Sequence, residues 1–341
     1  MIVSMYHSQR DIRTEERPQP ETSENEALVA MKACGLCGSD LMDWYLRERA
    51  PLVLGHEPAG IIVRKGSRVR LFDVGDRVFV HHHVACFRCH YCLHGDYTLC
   101  KQFHETNIKP GGFAEYFKVP APNLQKDTLK IPDCISFDEA TLVEPVGCCL
   151  RALGKCYIQE RDTVAIIGAG ATGIIHAVLS KMLGAEKTIV SDLVEFRLNA
   201  ARRFGADVAV NPEEEDLASV VNAETDGRGA DVAVVATSSL DGYRAGLKVC
   251  RRGGKLCVFA PTDPGNYLQI GPKDLFFNEI QIVPSYSTSH LETKAALELM
   301  ASGRLNLKEL ITHRFKLVEA AQAFRTALES KESLKAIIVN K

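Results

Sequence analysis

The strongest constraint on the fold of this 341-residue chain is a glycine-rich turn between an apolar strand and a helical pattern. The apolar run Thr163–Ile167 leads directly into this turn, and a helical pattern follows over Gly173–Leu183. Glycines let the backbone approach a pyrophosphate, and the N-terminus of the helix offers free N–H groups with a partial positive charge. The turn therefore predicts a dinucleotide-binding βαβ unit. The predicted cofactor contacts in the turn are Gly168, Gly170, Thr172 and Gly173.

Asp192 ends the next apolar run, 19 residues after Gly173. A carboxylate at that place accepts hydrogen bonds from the hydroxyls of the adenosine ribose. Since a 2′-phosphate would meet like charge there, we expect NAD to be preferred over NADP. Arg197 lies about one helical turn further on and is expected to contact the same ribose.

Strand and helix patterns alternate through the middle of the chain, which predicts an α/β doubly wound parallel sheet. The further apolar runs are Thr188–Ser191, Asp231–Ala236, Lys255–Ala260 and Ile280–Val283, and the further helical patterns are Glu195–Phe204 and Asp241–Cys250. The first third is rich in short strands, and the last part has two helical stretches and a closing strand at Lys335–Val339. We expect a β-rich domain of residues 1–145 and 286–341, and a nucleotide-binding domain of residues 146–285.

Composition excludes several classes of partner. The formal net charge is −2, so bulk electrostatics favours neither nucleic acid nor an anionic membrane. No apolar stretch approaches the roughly 18 residues of a membrane span, and Met1–Arg10 lacks an apolar signal-peptide core. We therefore expect a cytoplasmic protein whose partner is a small molecule.

Four of the twelve cysteines lie close together with the spacing C-x2-C-x2-C-x7-C. They are Cys86, Cys89, Cys92 and Cys100. Four thiolates within fifteen residues can close a tetrahedral zinc shell that has no open position, which is typical of a structural site. An iron–sulfur cluster is the alternative for four thiolates, and we favour zinc over it. The sequence predicts a zinc-held lobe over residues 86–100.

A second group of residues has the chemistry of a catalytic metal site. Cys37 and His56, together with either Glu57 or Glu144, would give a shell of sulfur, nitrogen and oxygen. Such a mixed shell suits zinc that keeps one position free for a substrate oxygen. The sequence leaves open which of the two glutamates completes it.

Several short motifs appear in one order and carry a resemblance to a known family. They are Gly35-Leu36-Cys37-Gly38-Ser39-Asp40, Gly55-His56-Glu57, Gly75-Asp76-Arg77-Val78, the four-cysteine lobe, Gly111-Gly112-Phe113-Ala114-Glu115-Tyr116 and Glu144-Pro145. With the glycine-rich turn and Asp192, the chain resembles the zinc-containing medium-chain dehydrogenases over nearly its whole length. The branch of sorbitol, threonine and galactitol-phosphate dehydrogenases is the most similar.

The resemblance implies a GroES-like catalytic domain joined to a Rossmann domain, with the active site in the cleft between them. It implies two zinc ions per chain, one catalytic and one structural, and NAD as cofactor. Cys37, His56 and Glu144 match the family's catalytic ligands, and Glu57 matches a carboxylate that can enter the shell. It also implies a homodimer or homotetramer, for which the edge strand near Ile280–Ser285 is the expected contact.

Two further residues acquire roles from the resemblance. Asp40 would orient His56 through its other ring nitrogen, and Ser39 matches the hydroxyl that first takes the substrate proton. The family often passes that proton to a histidine three residues later, where this chain has Met42. Methionine cannot carry a proton, so the relay must run through water, Glu57 or another group.

The resulting expectation is reversible oxidation of a secondary hydroxyl to a ketone, with hydride transfer to NAD. The substrate would be a small polyol, cyclitol, sugar acid or related alcohol. The alternative from another class is a non-catalytic, zinc-stabilised NAD-binding or regulatory protein on the same scaffold.

Overall fold

A computed structural model of the protein describes residues 1–340. The chain divides into two compact units. One comprises Met1–Gly147 and the segment from Ser287 onward, and the other is Cys148–Tyr286. The sequence places the two boundaries after residues 145 and 285, and the structure has them after 147 and 286.

The chain forms sixteen strands over the described residues. They are β1 (Ile2–Ser8), β2 (Asp11–Glu16), β3 (Ala27–Gly35), β4 (Leu52–Val53), β5 (Glu57–Lys65), β6 (Arg77–Val80), β7 (Tyr116–Val119), β8 (Thr128–Lys130), β9 (Thr163–Ile167), β10 (Lys187–Ser191), β11 (Val208–Val210), β12 (Ala230–Val235), β13 (Cys250–Val258), β14 (Gln281–Pro284), β15 (Ile311–Lys316) and β16 (Lys335–Val339).

The α-helices are α1 (Asp43–Leu46), α2 (His90–Leu93), α3 (Lys101–Glu105), α4 (Ala121–Lys126), α5 (Phe137–Ala140), α6 (Val143–Cys156), α7 (Ala171–Met182), α8 (Glu195–Arg203), α9 (Leu217–Glu224), α10 (Leu240–Val249), α11 (Pro272–Asn278), α12 (His290–Ala301) and α13 (Ala320–Glu329). Four 3₁₀ turns cover Gly38–Leu41, Tyr97–Leu99, Lys308–Leu310 and Leu317–Glu319. Within residues 1–340, no helix has the length and apolar character needed to cross a bilayer.

The second unit is built on a six-stranded parallel sheet with the order β11-β10-β9-β12-β13-β14. Every residue of β9 and β12 is buried, as expected for central strands of a sheet covered on both faces. The strand order reverses between β9 and β12, and ligands of such sheets bind at the carboxyl ends of the strands at this point. The predicted doubly wound fold is confirmed.

The sequence missed or misplaced some elements of this unit. It predicted a strand over Lys255–Ala260, whereas β13 begins at Cys250 and passes through Gly253, whose φ is +72°. An irregularity in the pairing with β12 accommodates this glycine segment. The short strand β11 and the helix α9 were not predicted. Four acidic residues before α9 resemble a loop, but the last of them, Asp216, caps the helix by accepting a hydrogen bond from the Ser219 amide.

The first unit contains a seven-stranded sheet and a three-stranded sheet. The larger has the order β15-β16-β3-β5-β6-β8, with β7 also paired to β3, and the smaller has the order β2-β1-β4. Apolar residues from both sheets and from α13 form a shared core. The three strands that pair with β3, namely β5, β7 and β16, all run antiparallel to it. The predicted β-rich, GroES-like character of this unit is confirmed.

Candidate active site and metal centres

The pairing of β3 with β5 brings Cys37 and His56 together. Gly35, the last residue of β3, lies opposite Glu57, the first residue of β5. Cys37 therefore follows one strand by two residues, and His56 precedes its antiparallel partner by one. Residues 19 apart in sequence thus meet at one edge of the sheet because the register of two strands puts them there.

The side chains of Cys37, His56 and Glu57 converge closely enough to share a metal ion. Their sulfur, ring nitrogen and carboxylate oxygen all lie within 4.8 Å of one another. Cys37 and His56 are half-buried, while Glu57 is completely buried. A thiolate, an imidazole and a carboxylate form the kind of shell in which zinc keeps a position for substrate.

Asp40 connects two members of this group. Its Oδ2 atom accepts a hydrogen bond of 3.0 Å from the Cys37 amide, and its Oδ1 atom lies 3.4 Å from Nδ1 of His56. The carboxylate is 2% exposed, so it needs these partners to compensate for its burial. A carboxylate on the outer nitrogen fixes the ring orientation and leaves Nε2 for a metal.

The charges around His56 favour the binding of a cation. Burial by itself lowers the pKa of His56, but the charges of Asp40 and Cys37 outweigh burial and raise the pKa well above its usual value. The surrounding anions thus favour a positive charge at this point. A divalent cation would supply that charge.

Glu57 also forms a buried ion pair with Lys335, which the sequence analysis did not predict. The Lys335 ammonium lies 2.7 Å from Oε1 and 2.5 Å from Oε2 of Glu57, and only Oε1 has hydrogen-bond geometry. Burial acts to lower the pKa of Lys335, but Glu57 and Cys37 outweigh this effect and raise the pKa. Burial raises the pKa of Glu57, and the lysine opposes that rise. The sequence feature that could have indicated this ion pair is the charged Lys335 at the first position of the otherwise apolar strand β16.

Gly35 makes room for this ion pair. A Cβ atom at Gly35 would lie 1.7 Å from Oε2 of Glu57 and 3.0 Å from Cε of Lys335. The residue opposite Gly35 on the other side of β3 is Ile337, two residues beyond Lys335. The lysine of β16 therefore reaches the glutamate of β5 across the place where β3 has no side chain.

Glu144, the other predicted ligand, lies in the first turn of α6 and is 5% exposed. Its charge raises the pKa of both Glu57 and Lys335, so it lies in the same electrostatic environment. Across residues 1–340, the group that converges within 4.8 Å contains Glu57 and not Glu144. The arrangement of the protein groups by themselves thus favours Glu57 as the third member.

Ser39 and Met42 lie in and just after the 3₁₀ turn that follows Cys37. Ser39 is half-buried, and its carbonyl accepts a hydrogen bond from the Met42 amide. Both side chains thus belong to the turn that carries Cys37 and Asp40. The turn has a hydroxyl at Ser39 and no proton carrier at Met42.

Three consecutive histidines after β6 lie at the same end of the sheet. The His82 ring packs against His56 with ring centroids 5.0 Å apart. Burial, assisted by the neighbouring His83, lowers the pKa of His82 well below its usual value. His81 is completely buried and pairs through Nδ1 with Asp127 at 2.7 Å. The sequence analysis did not predict the contact of His82 with His56.

The four-cysteine lobe has the geometry of a closed metal site. The thiol sulfurs of Cys86, Cys89, Cys92 and Cys100 all lie within 4.8 Å of one another. Backbone amides of Arg88 and Cys89 donate to Cys86 and help to lower its pKa to about 6.

The apolar cluster of this lobe is small. Besides the cysteines, its small cluster contains only Ala85, Phe87, Tyr97 and Phe103. So few apolar side chains stabilise a fold poorly, and small domains of this kind use a metal instead.

The glycine-rich turn has the tight geometry that a pyrophosphate requires. Gly168 has a φ of +104°, and a Cβ atom at Gly173 would lie 1.8 Å from the Gly168 carbonyl oxygen. Gly170 is the N-cap of α7, and Thr172 is in the first turn. The amides of this first turn have no helical partner and can bind an anion.

Asp192 follows β10 directly and stabilises the glycine-rich turn through a hydrogen bond. Its Oδ2 atom accepts a hydrogen bond of 2.7 Å from the Ala169 amide, and Oδ1 accepts one of 2.9 Å from Val194. Arg197 lies 4.0 Å from the carboxylate. The predicted cofactor residues therefore lie together at the carboxyl ends of β9 and β10.

Comparison with known proteins shows the family. Residues 23–133 match the alcohol dehydrogenase GroES-like domain, and residues 171–302 match the zinc-binding dehydrogenase domain. The chain is 34% identical to a sorbitol dehydrogenase of Bacillus subtilis, with 99% of this chain and 97% of the relative covered. It is 31% identical to an L-threonine 3-dehydrogenase of Shewanella oneidensis, with 98% of each covered.

A solved zinc-binding dehydrogenase of Sinorhizobium meliloti, bound to NADP, superposes with a TM-score of 0.89 at 26% identity over 99% of each chain. The fold and the site thus define an oxidoreductase of the GroES-like and Rossmann type. This chain belongs to the zinc-containing alcohol and polyol dehydrogenase family, the medium-chain dehydrogenases.

Because Lys335 pairs with the buried Glu57, we expect a substitution of Lys335 to reduce the stability of the protein strongly. Replacing Lys335 by Met leaves the Glu57 charge buried without a partner, and we expect the free energy of unfolding to fall by about 3–5 kcal/mol. Denaturant unfolding of the first unit, followed by circular dichroism, measures this loss.

Adding Glu57→Gln to Lys335→Met should recover part of the lost stability, because the unpaired charge is then removed. Lys101→Met is the matched control, since Lys101 pairs with Glu105 at 3.5 Å on the surface and such pairs contribute little. Equal stability of Lys335→Met and the wild type would contradict the structural role of the pair.

Proposed function

We propose that this protein is an NAD-linked zinc dehydrogenase that oxidises a secondary hydroxyl of a small polyol, cyclitol, sugar acid or related alcohol to a ketone. The observation that carries the proposal is the convergence of Cys37, His56 and Glu57 within 4.8 Å, with Asp40 behind them. The family supports the class of reaction. The substrate class and the choice of NAD are our inference.

The residues present fit a zinc ion. The site is anionic, as the raised pKa of His56 indicates, and the Glu57 carboxylate beside it is completely buried. Cys37, His56 and either Glu57 or Glu144 would hold the metal. When bound, zinc lowers the pKa of a substrate hydroxyl and the nicotinamide takes up the hydride. The four cysteines of the lobe would hold a second, structural zinc.

The protein groups around the site have separate roles in this proposal. Asp40 holds the His56 ring so that Nε2 faces the metal position. Lys335 opposes the rise in the pKa of Glu57 and pairs with its carboxylate, which fixes the position of that group beside Cys37 and His56. The half-buried Cys37 and His56 leave one side of the group open to a ligand.

Proton release in this proposal begins at Oγ of Ser39, which lies on the same turn as Cys37. Met42 cannot continue the path, so the proton leaves from Ser39 through water or through Glu57. A hydroxyl can accept and donate in one step, which suits it to the first position of such a path.

The substrate class rests on the relatives. Two relatives with full-length similarity are named for sorbitol, a polyol, and for L-threonine, a hydroxy amino acid. Both are small molecules in which a hydroxyl group has polar neighbours. Within residues 1–340 the cysteines form no disulfide bond, which suits a reducing compartment such as the cytoplasm.

The function is tested by NADH formation from a panel of polyols, cyclitols, sugar acids, threonine and simple alcohols, using protein shown to contain zinc. We expect turnover with one class, and no detectable turnover in Cys37→Ser, which should lose one of two zinc ions and remain folded. Cys92→Ser is the matched control because it should lose the other zinc and with it the stability of the lobe. Absence of turnover in protein that holds both metals would favour a non-catalytic role.

The preference for NAD is expected to depend on Asp192. Its carboxylate lies beside the glycine-rich turn, where it would repel a 2′-phosphate. Asp192→Asn removes the charge and keeps an acceptor for one of the backbone amides. We expect this variant to narrow the ratio of NAD to NADP affinity by about tenfold, which is 1.4 kcal/mol. Fluorescence titrations with NAD and with NADP measure the two affinities. An unchanged ratio would show that Asp192 does not determine the preference between the cofactors.

We also propose that the protein assembles with copies of itself, as a homodimer or homotetramer. The strand β14 is at an edge of the six-stranded sheet, and Ile282 within it is 42% exposed. Beside it in sequence, the helix α11 buries no residue, and Phe276 and Phe277 are exposed. An unpaired strand can pair with the same strand of a second copy about a twofold axis.

A charge at Ile282 should therefore weaken the assembly. We expect light scattering to give a multiple of 37.6 kDa for the wild type and a shift toward the single-chain mass for Ile282→Lys. Leu71→Lys, at an exposed leucine of the other unit, should leave the mass unchanged. A wild type of single-chain mass would exclude the assembly.

A further inference from the structure

Two histidines of the four-cysteine lobe lie one helical turn apart on its surface. His90 begins α2, and His94 follows its last residue, so the two are separated by four positions. Both side chains are exposed, and their ring centroids are 4.2 Å apart. Side chains at this spacing lie on one face of a helix and can bind one ion together.

The hydrogen bond of His94 prepares its ring to bind a cation. Its Nδ1 atom lies 2.8 Å from the backbone carbonyl of His90. A carbonyl only accepts, so Nδ1 carries the proton and Nε2 of the neutral ring keeps its lone pair. Ring nitrogens that bind metals in proteins are commonly oriented by this kind of bond on the other nitrogen.

The distance between the rings suits a shared ion. Tetrahedral zinc with Zn–N bonds of about 2.0–2.1 Å places two ligand nitrogens roughly 3.3 Å apart. The ring centroids are 4.2 Å apart with the planes tilted by 39°, and both side chains are exposed and can rotate to bring one nitrogen of each ring to that separation.

The surroundings of His90 contain thiol groups and charges of both signs. His90 lines an open concavity of about 390 Å³ together with Cys86, Cys89 and Cys100, and Glu105 lies at the same place. Four thiolates around one zinc ion retain excess negative charge. Arg88 and Lys101 also line the concavity, and the charges of Lys101 and Glu105 offset each other because the two side chains are paired at 3.5 Å.

We propose that His90 and His94 form an additional, readily exchanging site for a divalent cation that prefers imidazole, namely Zn²⁺, Ni²⁺ or Cu²⁺. The two ring nitrogens supply two ligands, and water completes the shell. The site is separate from the four cysteines and from the Cys37 group, and it does not depend on the proposed dehydrogenase activity. Its exposure makes it weaker than either of those sites.

The test uses the zinc-loaded protein, dialysed until its zinc content is constant, and titrates it with Ni²⁺ by calorimetry. We expect one Ni²⁺ per chain in the wild type and loss of that binding in His90→Ala and in His94→Ala. His104→Ala is the matched control, because His104 is an exposed histidine on α3 without a histidine four positions away. Nickel binding that is unchanged in His90→Ala or His94→Ala, or absent in the wild type, would overturn the proposal.

A second measurement does not require variants that fold. Cu²⁺ added below one equivalent to the zinc-loaded wild type should show an electron paramagnetic resonance spectrum with two imidazole nitrogens. A spectrum with one imidazole nitrogen would also overturn the two-histidine site. The zinc content of His90→Ala and His94→Ala is also measured, to check that the four-cysteine site and the Cys37 site still hold zinc.

Discussion

The candidate active site depends on one buried ion pair that is made across a missing side chain. Glu57 on β5 and Lys335 on β16 are not on neighbouring strands, since β3 lies between them. Their side chains meet because β3 has Gly35 at that point, where a Cβ atom would collide with the carboxylate. The pair therefore links β5, β3 and β16 at the edge of the sheet where Cys37 and His56 lie. Any loss of register in these strands would separate the metal-binding groups and leave charges buried.

Charge compensation explains the rest of the site. Asp40 is buried and uses its two oxygens on the Cys37 amide and the His56 ring. With the anions of the group held in this way, His56 experiences a field that favours a cation, which is the condition for binding zinc. The second unit uses a carboxylate in a similar manner. Asp192 fixes the glycine-rich turn through a backbone amide and remains beside the place where a cofactor would lie.

Much of the fold could be predicted because its signals are local. The strands β9 and β16 have the predicted bounds, and the parallel sheet follows from apolar runs that alternate with helices. The prediction failed where the signal was weak or mixed. The strand β11 has only three residues, and β13 contains two glycines that resemble a break. In both cases tertiary pairing with a neighbouring strand outweighs local preference.

The sequence by itself determined the family, the fold class and the residue types at both cysteine-containing centres, because these are encoded in short motifs with fixed spacing. Only the tertiary structure decided which distant side chains complete them. It brought Glu57 within 4.8 Å of Cys37 and His56, and it paired Glu57 with Lys335 from the other end of the chain. It also placed the His82 ring against His56. The reason is physical: strand register and burial set these contacts, and neither is a property of residues that are neighbours in sequence.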